Sequence, residues 1–493
     1  RTTSSAASDV YKRQILCCPW KASSGDRKAI RRMVEYSLNA KVVGFIEFMD
    51  SGFWDWDQAR SILQCALNCQ YSRLRLGWLN EKSSRNRLMT HLEYRKLEDL
   101  PTKAVADFIL PWSMPGAEMK IRHFRYGIPG SRPRVYLQAS LHADEIPGML
   151  VLHHLMRLLD TADRARHIRG EIIIVPAANP MGLSQWTFGT QQGRFESKSG
   201  INFNRDYPCL SEALVETVKD QLNDEASENR ELIRQSALTE LGKIQPKTPA
   251  EAMKQHLLGE GIQSDYVIDL HCDDIALLHL YTSPSSWPEF SDLASQLRTE
   301  LVLLESVSGG DPFDEACSRP WSDLVAAYPK HPILQGCHAT TIELRGGQDV
   351  GQDLASADAA NLFRFLQRRK AVLGNPGFLP ELARPARPLK GLEQLCSPQA
   401  GITVFRKPLG EEINPGETVA DLIDPHAEDP RNGTIPLISE SGGFFYARKS
   451  NHLVGAGDII ARMCADHPIQ GRNAPMLSCL LYTSPSPRDR SSS

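Results

Sequence analysis

From residue 135 onward, short uninterrupted apolar runs alternate with longer stretches in which apolar residues recur every three or four positions. Four runs read as buried strands, at residues 135–140, 171–176, 266–270 and 339–344. The stretches between them carry the helical period at 147–160, where Pro147 occupies an early helical position, and at 212–245, 251–258 and 290–304. A last helix is expected at 353–370. Strands that are apolar at successive positions are covered on both faces, so this alternation predicts an α/β sheet with helices on each side. The polar helical stretch 210–261 reads as an insertion over one edge, and the proline-rich 376–388 as a linker.

Beyond the linker the chain repeats at a constant offset of 41. Gly401 superposes on Gly442, Gly416 on Gly457, Glu417 on Asp458, Val419 on Ile460 and Ala420 on Ala461. Each copy reads strand, glycine turn, strand, and the pattern resembles the lipoyl and biotinyl carrier fold. Those carriers hold a lysine on the turn between copies, whereas residues 425–433 contain none. A structural or site-covering role is therefore expected for residues 391–466.

The ends read differently. Residues 1–14 and 478–493 resemble translated adapter sequence, and 15–87 hold four cysteines (Cys17, Cys18, Cys65, Cys69) and four of the 8 tryptophans without a clear period. The expectation is that 1–88 is non-native or upstream read-through and that the natural protein starts at Met89. The alternative is a small metal-holding domain, for which that cysteine spacing is poor. The expected organisation is thus a main unit at 89–373, a linker at 374–390, a β domain at 391–466 and an adapter-derived tail at 478–493.

Net charge is −3, from 56 Lys+Arg against 59 Asp+Glu, which offers no field for nucleic acid or an anionic membrane. Mean hydropathy is −0.33 and no apolar window approaches a membrane span. The 11 cysteines lack the spacing of a disulfide framework. A cytoplasmic enzyme or binding protein for small molecules is expected, without nucleic-acid or membrane partners.

Candidate chemistry gathers at strand ends. After the first strand comes Leu141-His142-Ala143-Asp144-Glu145, and after the third Asp269-Leu270-His271-Cys272-Asp273-Asp274. Two imidazoles and one carboxylate make a catalytic zinc set, because three protein ligands leave a fourth position for water. The carboxyl edge of an open α/β sheet is where such sites form, and a further strand end carries Glu343. Between these blocks lie Asn179-Pro-Met-Gly182, Gly193-Arg194 and Asn202-Phe-Asn204-Arg205. Asp269, Asp273 and Asp274 are candidates to orient the histidines. His153 and His154 read as packing residues, and Cys272 as a nucleophile only if no metal binds.

This order of motifs resembles the succinylglutamate desuccinylase/aspartoacylase family of zinc enzymes, over roughly residues 110–463. The resemblance implies a three-layer α/β domain of zinc-carboxypeptidase type with a mixed sheet, followed by a C-terminal β-barrel/sandwich-hybrid domain. It implies one zinc ion at His142, Glu145 and His271. It implies that Arg194 polarises the scissile carbonyl, that Asn204 and Arg205 grip a substrate carboxylate, and that Glu343 is the general acid/base. One departure stands out: the family commonly places an aspartate two residues before the Asn-Arg pair to receive a ligand histidine's N–H, and here that residue is Asn202. An amide carbonyl can accept the bond but brings no charge; a neighbour such as Asp144 is the alternative acceptor. The expected reaction is deacylation of an N-acyl amino acid or related small amide. The alternatives are a metallocarboxypeptidase and, in another class, a metal-free binding protein.

Overall fold

The computed structural model describes residues 102–112 and 116–470. The expectations for 1–88, for Met89, for the four N-terminal cysteines and for the tail at 478–493 lie outside the described residues. The described residues belong to one compact unit.

Nine strands build the main sheet: β1 (Ala104–Ile109), β2 (Lys120–Tyr126), β3 (Arg134–Ala139), β4 (Glu171–Val175), β5 (Tyr266–Asp273), β6 (His279–Thr282), β7 (Leu301–Leu304), β8 (His338–Gly346) and β9 (Arg387–Pro388). Their spatial order is β1-β2-β4-β3-β5-β8-β6-β7-β9. The centre, β4-β3-β5-β8, is parallel. β1 and β2 extend one side antiparallel, and β6 runs antiparallel to β8. The sheet is therefore mixed.

Among the described residues, seven helices of eight or more residues flank it: α1 (Pro147–Arg164), α2 (Ser211–Val218), α3 (Ala226–Lys243), α4 (Pro249–Gly261), α5 (Trp287–Leu297), α6 (Phe313–Ala327) and α7 (Gln352–Arg368). Because successive strand residues point to opposite faces, β3 divides its side chains between two cores. Val135, Leu137 and Ala139 pack with Leu155 of α1, Phe290 of α5 and Phe365 of α7. Tyr136 packs on the other side with Leu214 of α2, Ile233 of α3, Leu257 of α4 and Phe313 of α6. Helices thus cover both faces, as continuous apolar strands require.

Several expectations are corrected. The helix foreseen at 290–304 stops at Leu297, where Arg298 takes a left-handed φ of +57°, and Leu301–Leu304 is strand β7. The helix foreseen at 212–245 is broken: Asn229 Oδ1 accepts from Asn223 N at 2.9 Å and its Nδ2 donates to Asn223 O at 2.8 Å, a local alternative to helical bonding. The end of the proline-rich stretch is β9, paired with Leu303 and Leu304. α6 was not foreseen, and it carries Pro320 in its interior, a residue that ordinarily reads as a breaker. β1 and β2 were not foreseen, because an edge pair needs apolar residues on one face only. His153 is exposed and His154 is half-buried against Gln352, with 2.8 Å between its Nε2 and Gln352 Oε1, so neither is a packing residue.

Residues 392–464 are mostly strands, in two sheets. One contains Leu392–Cys396, Ile459–Cys464, Gly443–Arg448 and Glu412–Ile413. The other contains Thr434–Ile438, Thr418–Ile423, Gly401–Phe405 and Leu453–Val454. Gly416 and Gly457, related by the offset of 41, have φ of +83° and +84°, a backbone region where glycine meets no Cβ penalty. These sheets join the main unit just past β5: Ile275 and Ala276 pair with Arg448 and Ala447, and Leu277 N donates to Tyr446 O at 2.9 Å. Among the described residues no helix is long and apolar enough to cross a membrane.

Candidate metal centre

Three strand ends converge at the carboxyl edge of the sheet. After β3, Ser140 takes a left-handed φ of +62° and turns the chain out of the strand. Glu145 N then bonds back to His142 O at 3.1 Å, which brings both side chains to the same side of the turn. α1 follows at once, its first turn pressed against β3 and β5; a Cβ at Gly148 would lie 2.9 Å from those of Ala139 and Leu270. β5 delivers His271, and β8 sets Glu343 in register beside it. Asp206 and Arg345, each next to a candidate residue or close after one, also have left-handed φ, of +55° and +65°. Strained backbone of this kind gathers where surrounding structure enforces a site.

The loops over the edge are fastened to the His142 turn. Asn179 donates from Nδ2 to Leu141 O and accepts from Gly182 N, both at 2.9 Å, which accounts for the Asn-Pro-x-Gly motif. Gly193 O accepts from Ala143 N at 3.0 Å. A Cβ on Gly193 would come within 2.1 Å of Asp144 N, so only glycine lets this loop lie so close and start Arg194 beside the cluster.

His142, Glu145 and His271 are all buried, and their ligand atoms lie within 4.8 Å of one another. His142 Nδ1 is 2.9 Å from Glu145 Oε1, and His271 Nδ1 is 2.7 Å from Oε2. The outer nitrogens are also engaged: Nε2 of His142 lies 2.9 Å from Asn202 Oδ1, and Nε2 of His271 lies 2.9 Å from Asp269 Oδ2. Those oxygens accept, so each Nε2 carries a proton, and the neutral ring of His142 then turns an unprotonated Nδ1 toward a carboxylate. Acceptors facing acceptors in a buried space call for a cation, and the donor set fits a transition metal of the zinc type.

Electrostatics agree. Burial, reinforced by Arg194, pulls His142 down to about 4, leaving the ring neutral. Burial opposes ionisation of Glu145, yet the two imidazoles hold its carboxyl well below the usual range. His271 is raised, because Asp269 and Glu145 together outweigh its burial; without a metal this ring favours a proton on Nδ1, which a bound metal would displace. Glu343 is pushed up to about 8, by burial first and Glu145 second, and its Oε2 is shut off from solvent without a hydrogen-bond partner. Burial, then Glu145 and Glu343, also raise the Cys272 thiol far above its ordinary value, so this residue is unsuited to act as a nucleophile.

The remaining candidates take distinct places. Arg194 is nearly half exposed and donates to Glu145 Oε1 at 2.8 Å. Asn204 is buried; its Oδ1 accepts from Phe313 N at 2.9 Å and its Nδ2 lies 3.5 Å from His271 Nε2. Arg205 is 8% exposed, donates from NH1 to Asn204 O at 2.6 Å, and has no carboxylate partner among the described residues. Asn202 is the oxygen acceptor for His142, while Asp144 is exposed. Of the three aspartates near His271, Asp269 orients the ring, Asp273 pairs with Arg462, and Asp274 accepts from Ser450 N at 3.0 Å.

Two residues escaped the sequence reading. Lys254, 5% exposed on α4, donates to Arg205 O at 2.6 Å and to Asn202 O at 3.3 Å, tying down the segment that carries Asn202 and Arg205. It occupies a core position of the helical stripe Ala250, Met253, Leu257, Leu258, a signal present in the sequence. Arg462 reaches Asp273 from a strand 189 positions away, which local pattern cannot reveal.

The fold and cluster define a class: an α/β domain with a candidate metal centre at the carboxyl edge of a mixed sheet. Residues 131–369 match the family model for the succinylglutamate desuccinylase/aspartoacylase catalytic domain, a family of hydrolases. The fold is shared with a family protein from Shewanella frigidimarina NCIMB 400, at 20% identity and a TM-score of 0.64, over 74% of this chain and 98% of that one. It is shared with another from Shewanella amazonensis SB2B, at 23% and 0.64, over 73% and 98%. The product-bound ectoine utilization protein EutE of Ruegeria pomeroyi matches at 15% and 0.52, over 74% and 99%. No curated protein matches the chain.

Proposed function

We propose that the protein is a zinc-dependent amidohydrolase that removes the acyl group from an N-acyl amino acid or a related small amide bearing a carboxylate. The observation that carries this reading is the convergence of His142 Nδ1 and His271 Nδ1 on the two oxygens of Glu145, with Glu343 in register beside His271. His142, Glu145 and His271 would hold the metal. Zinc in such a set supplies Lewis acidity, polarising a carbonyl oxygen and lowering the pKa of water to about 7.

The chain's own residues do the rest. Glu343 takes the proton from the attacking water and returns it to the leaving amine; a carboxyl raised toward neutrality suits both halves of that transfer. Asn202 and Asp269 hold the Nε2 protons and so keep each Nδ1 turned inward. Arg194 stands beside Glu145, close enough to share the charge that develops on the carbonyl oxygen. Arg205, with a buried guanidinium and no carboxylate partner among the described residues, binds the substrate's carboxylate. The C-terminal sheets, fastened at Asp273 and Asp274 just beyond His271, favour small substrates over peptides.

The test is a panel of N-acyl amino acids and dipeptides incubated with zinc-loaded full-length protein. Turnover of acylated amino acids that is lost in Glu343→Gln supports the reading. Turnover confined to dipeptides would replace it with a carboxypeptidase, and turnover that survives Glu343→Gln would remove the proposed role of that carboxyl.

A further inference from the structure

Far along the same sheet, on β2 and α4, lies a second group of donors that the hydrolytic site does not use. His123 points from β2 to the face that α4 covers, with Ile121 on the same side of the strand. His256 and Glu260 are four residues apart on α4 and so share one side of that helix. One ligand atom from each of the three lies within 4.8 Å of the others. His123 is 2% exposed and the other two are half-buried.

We propose that His123, His256 and Glu260 form a second site for a zinc-type transition metal, which cross-links strand β2 to helix α4.

The geometry of the nitrogens carries the inference. Nε2 of His123 and Nε2 of His256 face each other at 3.0 Å. Two imidazoles bound tetrahedrally to one zinc at about 2.0–2.1 Å each would stand roughly 3.3 Å apart, so only a small separation of the rings is needed. Both rings are also held in place. His256 stacks on Phe108 of β1, with ring centroids 3.7 Å apart and planes 4° apart, and His123 meets it edge-on at 4.8 Å. Two His and one carboxylate make a donor set of the zinc type and leave a fourth position for water.

Glu260 has neighbours to reconcile with this role. Arg125 NH2 donates to its Oε1 at 2.5 Å and Arg134 NH2 to its Oε2 at 2.6 Å. An ionised carboxylate offers about four lone-pair positions, so each oxygen keeps one free for a metal. The two guanidiniums are matched by two carboxylates, since Glu171 also pairs with both arginines, at 3.2 and 3.5 Å. An incoming cation therefore meets a neutral surround. Burial lowers the pKa of both histidines, keeping them in the unprotonated form a metal requires.

The competing account of the 3.0 Å contact is a proton shared between the rings, and metal analysis separates the two. Full-length protein carrying His142→Ala and His271→Ala lacks the hydrolytic donors, so any zinc it retains after gel filtration reports on the second group alone. We expect one equivalent per chain, lost on adding His256→Ala. A folded double variant that binds no zinc overturns the site and leaves the hydrolytic reading untouched. If that variant does not fold, the single change His256→Ala decides in the otherwise intact chain. One zinc equivalent fewer, together with loss of any zinc-dependent rise in melting temperature beyond that of the hydrolytic site, supports the cross-link; unchanged zinc content overturns it.

Discussion

Arg462, on the C-terminal strand Ile459–Cys464, pairs with Asp273, two residues past His271. The pair fastens the C-terminal sheets to the end of the strand that presents a candidate ligand. Each side chain keeps about a fifth of its surface exposed, 21% and 20%, so the contact is only partly screened. Hydrogen bonds to charged groups contribute about 1.5–3 kcal/mol. Arg462→Ala should lower unfolding free energy by roughly that amount and reduce kcat/KM, with Arg462→Lys recovering part of both. Urea unfolding and steady-state kinetics check this; a variant unchanged in both would mean that the sheets do not support the site.

Asn202 gives a second prediction. Its carbonyl oxygen accepts from His142 Nε2 without contributing charge. Outer partners of ligand histidines typically govern metal affinity by about 10–100-fold. Asn202→Ala should weaken zinc binding by about that factor, and Asn202→Asp should tighten it. Competition with a chelator of known affinity measures both; a weaker aspartate variant would contradict the assignment.

Glu343 allows a pH test on metal-free protein. Its carboxyl rises from the ordinary 4.5 to about 8 in the folded chain, through burial first and Glu145 next. The folded state therefore holds this proton more tightly than the unfolded chain does. The stabilisation is fully present below about 4.5 and is lost as pH climbs through about 8. Glu343→Gln has no proton to release. The variant's melting temperature relative to wild type should therefore be higher above about pH 8 than near pH 4.5. Equal differences at the two pH values would remove the raised carboxyl from the account.

Lys254 acts through the backbone it holds. Lys254→Met would leave Asn202 O and Arg205 O without this donor in a buried space, at a cost of about 1–3 kcal/mol. Because the bond to Arg205 O is the shorter, 2.6 Å against 3.3 Å to Asn202 O, KM should rise several-fold while zinc affinity falls by less than in Asn202→Ala. A fall in kcat alone would place Lys254 elsewhere in the mechanism.

The candidate ligands were legible in the sequence because strand ends are legible. A run such as Val267-Ile268-Asp269-Leu270 marks a buried strand, and His271 follows it directly. The partner of His142 stayed open in the sequence between Asn202 and a neighbour such as Asp144, and the fold brings the Asn202 oxygen to its Nε2. The pairing of Arg194 with Glu145 was not legible, since it depends on how one loop lies over another, and no local period encodes that. Helix 313–327 and strand 387–388 were concealed by prolines, whose local preference was overruled by packing against Leu257's core and by pairing with Leu303. Lys254 stood in a core stripe, so its burial was readable, though the carbonyls it reaches were not.

The central claim is that His142, Glu145 and His271 hold a zinc ion. The direct measurement is zinc content per chain in full-length protein carrying His256→Ala, which sets aside the second cluster, compared with the same protein also carrying His142→Ala. The account predicts one zinc ion in the first and none in the second. Equal zinc in both, or none in the first after loading, would contradict it.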